Sequence, residues 1–251
     1  MTELTLETLD RDGALQEAID RVWGGSRADL LRGAAVGGAA LLGALALPGR
    51  SSAATPNDVD ILNYALTLER LEATFYRRVL GRFSQGEFEN ADFFDGLGSY
   101  LRRNAYENFQ RISEHENTHV TTLVEVITQL GGRPVPRSEY DFGITSVASA
   151  VKTAMVLENT GVRAYDGAIA HIKRASLLTA GATIATVEAR HAAYLNLLNR
   201  VVPFPKAFDK AVAPRAICKA VQAFITDSPE PYGPYRSLDA LCGRLPQSPT
   251  P

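Results

Sequence analysis

Apolar residues recur every three or four positions in four long runs of this chain, and short Gly-, Pro- and Asn-containing stretches separate the runs. That period predicts amphipathic helices. The first helix starts with Thr55 as cap, Pro56 in the first turn and Asp58 behind it, runs to about Leu80 and ends at Gly81. Residues 82–96 mix phenylalanines with turn formers and read as a loop. A second helix covers about Leu97 to Leu130 and stops at Gly131-Gly132. Pro134, Pro136 and Gly143 make residues 131–143 an extended connection. Thirteen extended residues reach ~43–47 Å, longer than the ~38 Å of a 25-residue helix. The connection can therefore run the whole length of a bundle. A third helix spans about Ile144 to Lys173, and a tight turn near Ser176 leads into a fourth ending near Val202. Residues 206–227 form a further amphipathic segment interrupted at Pro214, expected to dock outside the bundle, and the Pro-rich tail from Pro229 reads as irregular.

The polar residues on the four apolar seams carry the chemistry. The second-helix seam reads Ile112, Glu116, His119, Leu123, Ile127, and the fourth reads Gly181, Ile184, Glu188, His191, Leu195, Leu198. Each contains Glu-x-x-His, whose two side chains share one helix face. The first seam reads Leu62, Ala65, Glu69, Glu72, Tyr76, Val79, and the third reads Val151, Ala154, Glu158, Val162, Tyr165, Ile169. Each has a Glu followed seven residues later by Tyr. Buried unpaired carboxylates cost several kcal/mol, and a metal ion is the simplest neutraliser. Glu, Glu-x-x-His, Glu, Glu-x-x-His, one set per helix, is the ligand pattern of a four-helix dinuclear carboxylate site. Glu72 lies one turn from Glu69 on much the same face and competes with it as ligand; the Glu-to-Tyr spacing shared with the third helix favours Glu69. Tyr76 and Tyr165 can hydrogen-bond near the site or pack as core residues. His171 reads as a surface or packing residue.

On these residues, from about 56 to 200, the chain resembles the ferritin-like superfamily, and within it the bacterial ferritin-like proteins grouped with desiccation-related proteins. The resemblance implies an all-α, ferritin-like four-helix bundle with a long crossover between helices two and three, and a C-terminal helix appended to it. It also implies two iron ions, or two manganese ions, held by Glu69, Glu116, His119, Glu158, Glu188 and His191. Glu116 and Glu188 would bridge, and each histidine would cap one metal. The implied activity is oxidation of Fe(II) by dioxygen or peroxide, or peroxide removal, in stress protection. A pairing of two such bundles into a homodimer is the implied assembly.

Composition changes the picture little: 45% hydrophobic and 22% charged residues describe an ordinary globular chain. A formal charge of −2 gives no bulk attraction for nucleic acid. The first 54 residues stand apart. A polar, acidic stretch precedes Ser26-Arg27-Ala28-Asp29-Leu30-Leu31-Arg32, then the uncharged residues 33–47, then a small-residue stretch to Ala53-Ala54. The uncharged part is too short for a stable membrane span and suits the centre of an export signal cleaved near Ala53 or Ala54. The heptapeptide resembles a twin-arginine signal, departing from it at Ala28. The expected domains are thus an export segment over 1–54, the bundle over 55–202 and a C-terminal region over 203–251, with periplasmic, extracellular or envelope localisation. The alternative is a cytoplasmic protein with an uncleaved Ala-rich helix. Cys218 and Cys242 would pair in an exported chain and stay free in a cytoplasmic one.

Two other functions compete. His115-Glu116-Asn117-Thr118-His119 fits His-Glu-x-x-His, the zinc metalloprotease signature, with Glu116 as general base. That reading leaves Glu69, Glu158, Glu188 and His191 unexplained on apolar seams. The other keeps the fold and makes the protein a structural, stress-protecting envelope protein with a non-catalytic metal site.

Overall fold

The computed structural model describes residues 56–250; the expected export segment lies outside them. Four long helices form two antiparallel hairpins. Helix α1 (Pro56–Arg82) packs along α3 (Ser99–Gln129), and α4 (Val147–Ile169) packs along α5 (Ala175–Leu198). The hairpins meet where α1 lies on α4 and α3 on α5.

The crossover fixes the direction of α4. It leaves the end of α3 and climbs the flank of α1. Asn63 holds its start, donating to the Arg133 carbonyl (3.2 Å) and accepting from the Val135 amide (2.9 Å). Four turns further along α1, the Arg78 guanidinium donates to the Tyr140 carbonyl and pairs with Glu139. Ser146 then caps α4 in a reciprocal box with Ser149. α4 returns antiparallel to α1, so that the Lys173 amide donates to Asp58 in the first turn of α1 (2.9 Å).

Several element limits differ from the sequence reading. α1 runs through Gly81 to Arg82, because Ser84 immediately caps a short helix, α2 (Gln85–Glu89), with Glu87 closing the capping box. The expected loop 82–96 thus holds α2 and a 3-10 turn at Asp92–Phe94, which bury Phe88 and Phe94. α4 is shorter than expected at both ends: Ser146 caps it, and the turn into α5 falls at 170–174 instead of near Ser176. α5 ends at Leu198, where Arg200 takes a left-handed conformation (φ 59°) and the Val201 amide bonds back to the Asn196 carbonyl.

The C-terminal region is more ordered than expected. Pro214 opens α6 (Pro214–Val221) at the position where its missing N–H costs nothing. Strand β2 (Ile225–Asp227) pairs antiparallel with β1 (Glu139–Tyr140) of the crossover. In the tail read as irregular, Ser237 caps α7 (Leu238–Arg244), and Cys218 of α6 is bonded to Cys242 of α7. The tail is anchored to α1 by polar contacts: Asp60 accepts from Tyr235 Oη (2.7 Å) and Arg244 Nε (3.0 Å), and Tyr232 Oη donates to Thr67 (3.2 Å). No helix of the described residues is long and apolar enough to cross a membrane.

Candidate metal centre

The periodicity that predicted the helices also aims their polar residues. All four seam carboxylates, Glu69, Glu116, Glu158 and Glu188, are fully buried, and His119 and His191 nearly so. They converge where the hairpins meet. Two sets of donor atoms, each within 4.8 Å of one another, comprise Glu69, Glu116, His119 and Glu188, and Glu116, Glu158, Glu188 and His191. Glu116 and Glu188 belong to both sets.

Three carboxylates crowd one imidazole nitrogen. His119 Nδ1 stands 3.2 Å from Glu69 Oε2, 3.5 Å from Glu116 Oε2 and 3.2 Å from Glu188 Oε1. His191 Nδ1 stands 3.2 Å from Glu116 Oε1 and 3.1 Å from Glu158 Oε2. One N–H can serve only one of these acceptors. Both oxygens of Glu116 and both of Glu188 are buried without a well-directed hydrogen bond. Four such oxygens in one small volume are what a cation, and not a proton network, would satisfy. The spacings also fit, since donors arranged around a cation with bonds of ~2.1 Å lie ~3.0–3.4 Å apart.

Electrostatics give the same account. Burial pushes the Glu116 carboxyl well above its ordinary pKa, and the Glu69 and Glu158 charges add to this. Burial does the same to Glu188, with help from Glu116 and Glu158. Glu69 moves down: burial works against it, but the His119 imidazolium and the nearby polar groups of His119, Glu116 and Tyr165 outweigh burial. Burial would lower His119, yet the carboxylates of Glu69, Glu116 and Glu188 raise it far above its ordinary value.

The two tyrosines hold the outer carboxylates crosswise. Tyr76 of α1 donates to Glu158 Oε1 of α4 (2.5 Å), and Tyr165 of α4 donates to Glu69 Oε1 of α1. In each carboxylate the other oxygen faces the histidine. Each tyrosine is therefore both a core residue and a hydrogen-bond donor, and it serves the opposite hairpin, which the same-helix Glu-to-Tyr spacing did not reveal.

Glu72 is buried beside the cluster but lies outside both donor sets. It and Gly161 occupy equivalent positions, each three residues after the outer Glu of its helix. A Cβ on Gly161 would stand 3.0 Å from Glu188 Oε2 and 3.3 Å from Glu72 Oε1. The missing side chain makes room for both carboxylates. His115 lies outside both sets as well. It is exposed, and its Nδ1 sits 2.9 Å from His191 Nε2 with the rings stacked. The donors gathered around His119 are carboxylates, with no second imidazole among them, so the geometry lacks the histidine pair a His-Glu-x-x-His zinc site needs. His115's place against His191 was not legible in the sequence, because the contact crosses between α3 and α5.

Residues 57–200 match the family described as Ferritin-like domain. The chain belongs to that family. The ferritin-like match covers the four long helices from residue 57 on and the six converging residues, and it ends before α6. No match was found among curated proteins. The ferritin-like bundle and its buried carboxylate–histidine cluster together fit a metal site.

Proposed function

We propose that this ferritin-like chain holds two iron ions, or two manganese ions, and uses them in oxidant chemistry. The ligands are Glu69, Glu116, His119, Glu158, Glu188 and His191. The observation that carries the reading is the pair of overlapping donor sets sharing Glu116 and Glu188, two carboxylates buried without directed hydrogen bonds. Four ionised carboxylates and two divalent cations cancel in charge. Oxygen-rich sets with a single imidazole each suit iron or manganese better than a structural zinc site.

Two Fe(II) ions bound there would supply one electron each, enough with two protons to take dioxygen to hydrogen peroxide or hydrogen peroxide to two waters. The chain's own part is to hold the donors in place before any ion arrives. Tyr76 and Tyr165 fix the outer carboxylates by one oxygen and leave the other facing inward. The surrounding apolar helices exclude water, and His115 backs the outer nitrogen of His191.

The Cys218–Cys242 bond supports an oxidising compartment, and with the signal-like residues 1–54 it favours export to the periplasm or envelope, where the protein would serve in stress protection. The deciding measurement is metal content per chain in protein purified without chelator, next to the double substitution Glu188→Ala/His191→Ala. About two iron or manganese ions per chain, absent in the variant, is the result expected for a dinuclear carboxylate site. A chain that takes up neither metal under anaerobic loading overturns the proposal.

A further inference from the structure

The two hairpins are equivalent around the cluster, and besides Glu72 and Gly161 one further place breaks the equivalence. Seven residues before Glu116 stands Phe109, and seven before Glu188 stands Gly181. Ten residues after Glu69 stands Val79, and ten after Glu158 stands Ala168. The large pair fills the bundle next to Tyr76. Phe109 is fully buried, with its ring 5.4 Å from Tyr76 and 5.1 Å from Phe88, and Val79 is fully buried too. The small pair leaves space next to Tyr165. A Cβ on Gly181 would meet only the Ile169 side chain, at 3.7 Å and beyond.

That space is a cavity of about 40 Å³ lined almost wholly by apolar atoms. It lies one helical turn from the cluster along three helices. Ala65 is one turn before Glu69, Leu123 one turn after His119, and Ile184 one turn before Glu188. Tyr165 forms the partition: it lines the cavity, while its hydroxyl donates to Glu69. The half-buried Thr122, Ala180 and Gly181 border the cavity on α3 and α5, towards the surface.

We propose that this cavity is a binding chamber for dioxygen, placed to deliver it past Tyr165 to the metal centre; the delivery role rests on the functional reading above. Apolar cavities, even much larger ones, stay dry and take apolar guests such as xenon. Dioxygen loses no hydrogen bonds on entering. Hydrogen peroxide must give up donors and acceptors solvated by water, and the lining exposes almost no polar surface to replace them. The chamber therefore selects dioxygen as oxidant. The equivalent space in the other half is closed by Phe109 and Val79, so access is one-sided.

The test uses the full-length protein and the substitution Gly181→Phe, which copies the residue found at the equivalent position; Ala168→Val is a gentler second variant should the first fail to fold. Crystals pressurised with xenon should show the gas between Ala65, Leu123, Tyr165 and Gly181, and the substituted protein should exclude it. Metal content should be unchanged. Oxidation of loaded Fe(II) by dissolved dioxygen should slow severalfold, while anaerobic oxidation by added hydrogen peroxide should keep its rate. Absence of xenon from the unmodified cavity overturns the proposal. So does a dioxygen rate untouched when xenon is excluded, or an equal slowing with both oxidants. Xenon bound in a chain that takes up no iron overturns the functional reading, and the delivery role with it.

Discussion

Glu116 sits at the centre of the site with each oxygen turned towards a different histidine and neither in a directed hydrogen bond. In the metal-free fold that carboxylate is a liability, because burial and the neighbouring Glu69 and Glu158 charges oppose its ionisation. Glu116→Gln removes the charge and keeps the shape. The metal-free variant should therefore be more stable than the parent by about 1–3 kcal/mol, several degrees in melting temperature, while binding far less iron or manganese. Thermal unfolding with and without metal checks both halves, and a destabilised metal-free variant would contradict the account. The same charges set a pH dependence. Glu116 and Glu188 keep protons in the metal-free fold that the unfolded chain loses above about pH 4.3, so their effect on stability declines as pH rises. His119, raised by its carboxylate neighbours, acts in the same direction: its contribution is full below about pH 6.5 and is lost as pH climbs towards its folded value. Glu69, lowered in the fold, contributes stability that is lost only as pH falls through its folded value. Metal-free protein should thus melt lower at about pH 8.5 than at about pH 6, whereas metal affinity should increase over the same interval as cations displace the retained protons. Calorimetry at the two values decides; a metal-free melting temperature that rises with pH would count against the protonated cluster.

The elements outside the bundle are tied to it by few, specific contacts, and the disulfide is the strongest of them. Cys218–Cys242 closes a loop of 24 residues and holds α7 where Arg244 and Tyr235 reach Asp60 on α1. Reduction should lower stability by about 3 kcal/mol and free the tail while leaving the four long helices intact. Far-ultraviolet circular dichroism and limited proteolysis after reduction would show it, with cleavage expected in 229–250 and not in α1 or α3. How far these elements were legible depends on the range of the interactions that fix them. The long helices and the six converging residues could be read from the seams, since Glu116 and His119 or Glu188 and His191 share a face by spacing alone. Ser84-x-x-Glu87 was a readable start signal for α2 that the Phe-rich context obscured. The end of α5 carried no such signal, because Arg200 takes a position usually given to glycine. β2 and α7 depend on partners far away in sequence, β1 and Asp60, so local pattern could not show them. The crosswise tyrosines and the His115–His191 contact were hidden for the same reason.

At the scale of the whole bundle, the two hairpins are each well packed internally, and they meet across a layer that the cluster shares with apolar side chains such as Leu62, Leu123, Tyr165 and Ile184. Each donor set draws on both hairpins: α1 and α3 give Glu69, Glu116 and His119 to a set completed by Glu188 of α5, and α4 and α5 give Glu158, Glu188 and His191 to a set completed by Glu116 of α3. Neither set exists in a separated hairpin. Without metal, the layer presses ionisable carboxyls against one another, and the reciprocal tyrosine bonds are among the few directed links across it. With metal, the repelling groups become shared ligands. Binding should therefore act as a staple between hairpins and favour the folded bundle over any opened state. At a free metal concentration a hundred times the dissociation constant, one site adds about 2.7 kcal/mol. Two sites then correspond to roughly 10 °C or more in melting temperature for a chain of this size. Titrating Mn(II), which needs no anaerobic handling, while following the melting temperature tests this directly. The shift should grow with metal concentration and vanish in Glu188→Ala/His191→Ala. Hydrogen exchange should slow most at the α1–α4 and α3–α5 contacts, since that is where opened states would part. A shift that persists in the double variant would place the stabilising ion elsewhere and separate the bundle's stability from its carboxylate core.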